Sequence, residues 1–184
     1  ELSDAHVDVM GYACLVAIMS MGRGYHCVSE VNLHQETVAN DFPTPIVTSA
    51  GALINGLKVL GAKQISIITP YMRPLTDMVV DYIENQGIKV KQSIALEIPD
   101  NLEVAAQNPM NLLEIYKQLD LTDVDVLVAS ACVQMPSLEA IDLIQAECGI
   151  PVTSAAVCTT YEMMKKIGIE AKSAIGGELL NGKY

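Results

Sequence analysis

Short apolar runs rich in β-branched residues alternate along the chain with longer amphipathic stretches. The runs predict six strands, at His6–Tyr12, Ile46–Ser49, Gln64–Thr69, Ile88–Ser93, Val124–Ser130 and Val152–Ala155. The amphipathic stretches predict helices at about 24–39, 50–60, 73–86, 109–119, 137–147 and 159–167. Alternating strands and helices are typical of parallel sheets, because parallel neighbours need a crossover connection. We therefore predict an α/β protein.

The sequence also contains an internal repeat, in which an apolar strand leads to a cysteine and then to a second strand and helix. The matched segments are Val7–Val9 with Val124–Val126, Ala13–Cys14 with Ala131–Cys132, and Thr48–Ala50 with Thr153–Ala155. Each copy places a cysteine after the C-terminal end of a strand, the edge at which parallel sheets bind ligands. We expect two parallel-sheet lobes related by a pseudo-two-fold axis, with Cys14 and Cys132 facing each other across a cleft.

The two copies differ in what precedes the cysteine. Strand and helix signals reach back from Cys132 to Lys63, whereas only residues 1–13 precede Cys14. By symmetry the first lobe lacks an opening β-α-β-α stretch, so we expect the chain to be the C-terminal part of a longer protein. We assign residues 1–61 to the remainder of the first lobe, 62–168 to the second lobe, and 169–184 to a segment that returns to the first lobe.

The composition disfavours several classes of protein function. The chain has 184 residues, a formal net charge of −11, 51% hydrophobic residues and 18% charged residues. Such a chain buries a core and is not a disordered acidic segment. Its acidity disfavours nucleic acid and anionic membranes as partners, and no apolar run reaches the roughly 18 residues of a membrane span. It has only two arginines, Arg23 and Arg73, so we expect backbone N–H groups and neutral side chains to bind any anionic ligand.

The cysteines form an odd set without C-x-x-C spacing: Cys14, Cys27, Cys132, Cys148 and Cys158. This pattern disfavours a disulfide framework and a structural zinc site, and it favours the reducing cytoplasm. The three histidines also lack ligand spacing relative to Asp, Glu or Cys, so we predict no metal site. Cys27, Cys148 and Cys158 lie in or beside predicted helices, and we interpret them as small buried core residues.

Two thiols that face each other across a cleft support two kinds of chemistry. In paired acid–base catalysis, one thiolate removes a proton from carbon and the other thiol returns one from the opposite face. In nucleophilic catalysis, one thiolate attacks carbon and the second thiol manages protons. The pairing of Cys14 and Cys132 does not distinguish these possibilities, and two inert buried thiols are the structural alternative.

Two further polar residues follow predicted strands. Tyr71 comes just after the strand Gln64–Thr69, where it can donate a hydrogen bond to a carboxylate or simply pack over a loop. Asn101 lies in a turn-rich stretch after the strand Ile88–Ser93 and either binds a ligand or stabilises the turn. Arg23, between two glycines, is interpreted as a solvated surface residue.

Four segments resemble the maleate cis-trans isomerases of the aspartate/glutamate racemase superfamily: Gly11–Met19, Thr69–Tyr71, Pro99–Asn101 and Ser130–Met135. The resemblance covers essentially the whole chain. It implies two flavodoxin-like lobes with the active site between them, no cofactor, and a homodimer. It also implies a role for each of seven residues: Cys14 as the nucleophile, Cys132 as the second catalytic cysteine, Tyr71 and Asn101 as carboxylate-binding side chains, and Leu15, Val16 and Val133 as backbone N–H donors.

Differences within the superfamily sharpen this expectation. Arylmalonate decarboxylases have a glycine where Cys14 stands, and the apolar run Leu15–Met19 is closer to the isomerase pattern than to the amino-acid racemases. The family begins with a strand that supplies an asparagine to a substrate carboxylate, and this sequence has no counterpart of it. We expect the conversion of maleate to fumarate by thiolate addition, bond rotation and elimination, in bacterial nicotinate or aromatic catabolism.

Two other functions stay open at this point. A two-cysteine racemase acting on an acidic amino acid would use the same thiols for proton exchange. A two-lobed binding protein for a small dicarboxylate would keep Cys14 and Cys132 chemically inert.

Overall fold

The computed structural model describes residues 2–184, which fold into alternating strands and helices. The strands are β1 (Met10–Tyr12), β2 (Ile46–Thr48), β3 (Gln64–Thr69), β4 (Lys89–Ala95), β5 (Val126–Ser130) and β6 (Val152–Ser154). The α-helices are α1 (Leu15–Met19), α2 (Tyr25–Ala39), α3 (Ser49–Val59), α4 (Arg73–Glu84), α5 (Asn101–Ala105), α6 (Leu112–Ile115), α7 (Leu138–Cys148) and α8 (Ala155–Lys166). Short 3₁₀ turns lie at Leu2–Ala5, Pro109–Asn111, Tyr116–Gln118 and Glu178–Leu180.

The strands form two parallel sheets, which confirms the predicted α/β fold. One sheet pairs β1 with β2, and the other has the order β4-β3-β5-β6. β3 and β5 occupy the centre of the larger sheet, and their apolar residues are fully buried. Helices cover both faces of such sheets, so the central strands need continuous apolar runs rather than alternation. This explains the β-branched runs of the sequence.

Most elements begin and end near their predicted bounds, and the main differences have local causes. β1 is shorter than the predicted strand His6–Tyr12, because its three residues pair with the three residues of β2. α8 begins earlier than predicted, because the Ser154 hydroxyl accepts a hydrogen bond from the Val157 N–H and caps the helix. The predicted helix at 109–119 is instead α6 between two 3₁₀ turns, the first of which begins at Pro109.

Helices α3 and α8 pack against each other between the two sheets. Gly56 permits this approach, because a Cβ atom at this position would lie 2.6 Å from the Cys158 Sγ. Cys158 is fully buried, as predicted, and burial raises the pKa of its thiol to about 12. The same prediction is wrong for Cys27, which is exposed on α2, and Cys148 is only half-buried.

The segment at 169–184 contacts elements on both sides of this helix pair. The backbone N–H groups of Gly176 and Gly177 donate to Asp142 in α7 at 3.0 and 2.9 Å. Leu179 lies beside Gly56 in α3. The assignment of this segment to the first lobe therefore stays a prediction, as does the rest of the domain division.

Candidate active site

A cavity of about 110 Å³ lies where the segments after β1, β3 and β5 come together. Its lining contains all seven residues for which the family resemblance implies roles: Cys14, Leu15, Val16, Tyr71, Asn101, Cys132 and Val133. Ala13, Val104 and Gln134 complete the lining. The carboxyl ends of parallel strands are the usual ligand-binding edge, so the two halves of the repeat bring their cysteines to one place.

Larger cavities lie elsewhere on the molecule, but their linings contain fewer reactive side chains. One of about 500 Å³ lies beside β1 and α2, and one of about 440 Å³ lies near the beginning of α8. Neither is lined by a cysteine. We take the small cavity as the candidate active site because reactive and polar groups converge there.

Cys14 stands immediately before α1, where its extended backbone caps the helix without a side-chain hydrogen bond. The residue is exposed, so its thiol is accessible to a ligand. The N–H groups of the first helical turn have no acceptor within the helix, and those of Leu15 and Val16 belong to this turn. Burial of Leu15, Ile18 and Met19 holds α1 in place.

Cys132 occupies the equivalent position after β5, but only 6% of it is exposed. The Ser130 hydroxyl lies 2.8 Å from the carbonyl oxygen of Cys132, to which it donates. The N–H of Ala131 donates to the carbonyl of Ile68 in β3 at 2.9 Å. These bonds fix the turn that carries the second thiol, so the cavity has one accessible cysteine and one enclosed cysteine.

Both cysteines influence the electrostatic environment of the Tyr71 hydroxyl. Its hydroxyl donates to the carbonyl oxygen of Ala131 at 3.2 Å. Burial raises the pKa of Tyr71, and the neighbouring thiols of Cys132 and Cys14 raise it further. Its phenol therefore stays protonated at neutral pH and remains a hydrogen-bond donor.

The short helix α5 forms another wall of the cavity. Asn101 and Val104 are three residues apart and both line it, as expected for neighbours on one helical face. The Asp100 carboxylate accepts from the Leu102 N–H at 2.6 Å and caps the helix. The Gln134 Nε2 donates to the Asn101 carbonyl at 2.7 Å and connects α5 to the segment after β5.

Neither arginine lines the cavity. The Arg23 guanidinium donates to both carboxylate oxygens of Asp81, and this pair is exposed. Arg73 donates to the Ser93 hydroxyl at 3.1 Å and lies 3.8 Å from the Asp77 carboxylate. The donors around the cavity are therefore neutral groups, in agreement with the scarcity of arginine.

The histidines also make contacts away from the cavity. The His26 Nδ1 lies 2.5 Å from the Tyr82 hydroxyl, and the His34 Nδ1 lies 2.8 Å from the Thr44 carbonyl oxygen. His6 stacks on Phe42 with 4.3 Å between ring centroids. Across residues 2–184, no three His, Cys, Asp or Glu side chains come together in a way that could hold a metal ion. In the same part of the chain, no helix has both the length and the hydropathy to cross a bilayer.

The chain is similar to a known protein family and to several known enzymes. A family model described as arylmalonate decarboxylase matches residues 6–180. A maleate isomerase of Geobacillus stearothermophilus is 54% identical over 184 residues, which are 100% of this chain and 73% of that protein. A maleate isomerase of Nocardia farcinica is 39% identical over 180 residues, which are 98% of this chain and 72% of that protein.

Solved structures agree with this relationship. The maleate isomerase of Pseudomonas putida S16, in a variant with a cysteine replaced by alanine and with maleate, is 57% identical with a TM-score of 0.98, over 100% of this chain and 73% of that chain. A cysteine-to-serine variant of the Nocardia farcinica enzyme with a covalently bound succinylcysteine intermediate is 38% identical with a TM-score of 0.94, over 99% of this chain and 74% of that chain. Arylmalonate decarboxylase, at 17% identity and a TM-score of 0.78 over 99% of this chain and 77% of that chain, shares the fold.

Proposed function

Since this chain belongs to the maleate isomerase family of enzymes, we propose that it converts maleate to fumarate in the cavity that contains Cys14 and Cys132, without a cofactor. The observation that carries the proposal is the convergence of two cysteines, from equivalent positions of an internal repeat, on one small cavity. The cavity of about 110 Å³ is well below the size of sites for large ligands and suits a four-carbon dicarboxylate.

The first step is the addition of the Cys14 thiolate to one alkene carbon of maleate. A sulfur lone pair forms the S–C bond, and the π electrons move through the other alkene carbon into its carboxylate. The former double bond becomes a single bond, which rotates. The carbanionic carbon is protonated during this rotation and later loses the same proton. The electrons then return, the S–C bond breaks, the product is fumarate and the thiolate is regenerated. The position of Cys14 directly before α1, whose first N–H groups have no acceptor within the helix, supports its assignment as the attacking group.

The negative charge that develops on the substrate carboxylate needs donors already in position. We assign this role to the N–H groups of Leu15, Val16 and Val133 and to the side chains of Tyr71 and Asn101, all in residues that line the cavity. One well-placed donor of this kind contributes about 3 kcal/mol to the barrier reduction. Neutral donors act on the developing charge without binding the dianionic product too tightly.

We assign proton transfer at the neighbouring carbon to Cys132. Protonation of the carbanionic adduct gives a succinyl group on Cys14, and removal of the same proton permits elimination. The enclosed position of Cys132, beside Tyr71, suits a group that exchanges a proton without competing for the alkene. The succinylcysteine carried by the cysteine-to-serine Nocardia variant supports two separate cysteine roles.

We also propose that the enzyme is a homodimer that acts in the bacterial cytoplasm in the breakdown of nicotinate or aromatic compounds. The family resemblance supports all three points. The free state of the five cysteines is typical of a reducing compartment. α2 exposes Val28, Val31 and Val38 at helical spacing, and a second copy would cover such a stripe. Sedimentation velocity of the protein measures the dimer directly.

The test of the function is incubation of the protein with maleate and chromatographic detection of fumarate. Aspartate and glutamate in deuterium oxide form the parallel assay, since a racemase incorporates deuterium at the α-carbon. We expect fumarate to form and no deuterium to be incorporated. Deuterium incorporation without fumarate would identify a racemase instead, and maleate binding without turnover would identify a binding protein.

A further inference from the structure

The geometry points to Gln134 as a positioning residue that acts through Asn101. This inference rests on the proposed function, because it assigns to Gln134 the placement of a side chain that binds a substrate carboxylate. The Gln134 Nε2 donates to the Asn101 carbonyl oxygen at 2.7 Å. Both residues line the cavity, so the bond joins two of its walls, the segment after β5 and the beginning of α5.

Helix α5 itself has few other restraints, although the segment before it is held to the loop after β3, where the Ile98 N–H donates to the Pro70 carbonyl oxygen at 2.9 Å. It has five residues, and isolated helices of this length are unstable in water. Val104 is its one buried residue, at 4% exposure, whereas Leu102 is 78% exposed. The cap by Asp100 is formed by the adjacent residue and cannot fix the helix relative to β5. The Gln134 side chain provides that connection.

The connection matters because Asn101 has to meet a carboxylate on a substrate that Cys14 attacks. A donor that is displaced by about 1 Å loses much of its effect on the rate. Without the Gln134 bond, α5 is free to shift around its single buried anchor, and the Asn101 carboxamide shifts with it. The expected consequence is weaker stabilisation of the reacting substrate with an unchanged nucleophile.

The chain offers a matched control in Gln107. Its Nε2 donates to the carbonyl oxygen of Glu103 at 3.0 Å, so it too is a glutamine bonded to the backbone of α5. Gln107 does not line the cavity, and its bond lies within one local segment. Gln107→Ala therefore removes a glutamine-to-backbone hydrogen bond of the same type, while the Gln134 bond still holds the helix to the segment after β5.

The decisive experiment is a double-mutant cycle on kcat/KM for maleate with Gln134→Ala and Asn101→Ala. We expect Gln134→Ala to lower kcat/KM roughly tenfold in the parent, as for loss of one good hydrogen bond, and less than twofold in the Asn101→Ala protein. Gln107→Ala should change it less than twofold in both. Equal losses in both backgrounds would overturn the proposal, because they would show that Gln134 does not act through Asn101.

Gln134→Glu separates the donated hydrogen bond from packing, because the ionised side chain has nearly the same shape but no N–H. We expect it to lose at least as much kcat/KM as Gln134→Ala at neutral pH, and retention of parent activity would overturn the proposal.

Hydrogen exchange of the amides at 102–106 in ligand-free protein tests the connection without any substrate. Faster exchange in Gln134→Ala is expected, and unchanged exchange would overturn it. If the parent forms no fumarate, the proposed function fails, and this measurement still decides whether Gln134 holds α5.

Discussion

The two cysteines occupy equivalent places in the repeat, yet their surroundings differ. Cys14 is exposed before α1 without a capping hydrogen bond. Cys132 is enclosed and sits on a turn fixed by the Ser130 hydroxyl. This difference agrees with the roles that we propose, attack by Cys14 and proton exchange by Cys132. The sequence predicted the pair but not this asymmetry, because exposure depends on side chains that other segments contribute.

Replacement of Cys14 tests the attacking group. Cys14→Ala should abolish isomerisation while the protein remains folded, because the change removes one small exposed group. Cys14→Ser should be nearly as inactive, since a hydroxyl forms little alkoxide near neutral pH. Cys27→Ala, another exposed thiol that lies outside the cavity, should retain full activity in the same fumarate assay. Retention of a tenth of the rate by Cys14→Ala would contradict the assignment.

Tyr71→Phe tests the neutral donors. Loss of the hydroxyl should lower kcat by roughly a hundredfold, within the range for one oxyanion donor. Stability should fall only by about 1 kcal/mol, the usual loss for one hydrogen bond such as that to the Ala131 carbonyl. Steady-state kinetics with maleate measure the loss of kcat. Tyr82→Phe, which removes a hydroxyl that contacts His26 outside the cavity, serves as the control. A smaller loss for Tyr71→Phe than for Tyr82→Phe would contradict the role of Tyr71.

The raised pKa of Tyr71 also predicts a dependence of stability on pH. Burial keeps the phenol neutral in the folded protein, whereas an unfolded tyrosine ionises near pH 10. The contribution of Tyr71 is therefore complete below about pH 10 and is lost as the pH rises further. Urea unfolding between neutral and strongly alkaline pH should show a steeper loss in the parent than in Tyr71→Phe. Equal losses would contradict the shift.

At the scale of elements, the apolar runs were sufficient to predict the strands. β3 matches its predicted bounds of Gln64–Thr69, since a buried parallel strand needs a continuous apolar run. The helices α1 and α5 were missed, because five residues are too few to show a helical period. Both contribute walls of the cavity, so the hydrophobic pattern could not predict two of the elements that position the candidate site residues.

Val104 tests how α5 determines substrate size. Val104→Ala removes two methyl groups from the cavity wall, so a maleate with one methyl substituent should fit. We expect the ratio of kcat/KM for 2-methylmaleate to that for maleate to rise roughly tenfold, the usual effect of one small group in a pocket. Val79→Ala, at a fully buried position of α4 outside the cavity, should lose stability without a change in this ratio. An unchanged ratio in Val104→Ala would show that Val104 does not limit the size of the substrate.

At the scale of the whole molecule, the α3–α8 pair connects the two sheets that supply the cysteines. Gly56 allows this contact, because a Cβ there would meet the Cys158 Sγ at 2.6 Å. The repeat predicted two matching strand–helix entries, at Thr48–Ala50 and Thr153–Ala155, and both are present. The packing between the resulting helices could not be predicted, because it depends on which faces meet.

Gly56→Ala tests this contact. Overpacking of the contact between α3 and α8 should lower the free energy of unfolding by about 2 kcal/mol. At an unhindered helix position, the same change would raise it, because alanine has a higher helix propensity than glycine. Denaturant unfolding measures the change. Addition of Cys158→Ala to Gly56→Ala should recover part of the loss, since it removes the sulfur atom that the new methyl group meets. A Gly56→Ala protein as stable as the parent would show that the two helices are free to separate.

The most direct measurement of the central claim is mass spectrometry of the Cys132→Ala protein after incubation with maleate. If Cys14 attacks and Cys132 manages the proton, addition still proceeds in this variant and water protonates the carbanionic adduct. No group is in place to remove that proton again, so release stalls and the peptide that contains Cys14 should gain the mass of one maleic acid. The Cys14→Ala protein should carry no adduct. An adduct on Cys132 in the Cys14→Ala protein would reverse the two roles. Fumarate formation by the parent with no adduct on Cys14 in Cys132→Ala would contradict covalent catalysis by this thiol.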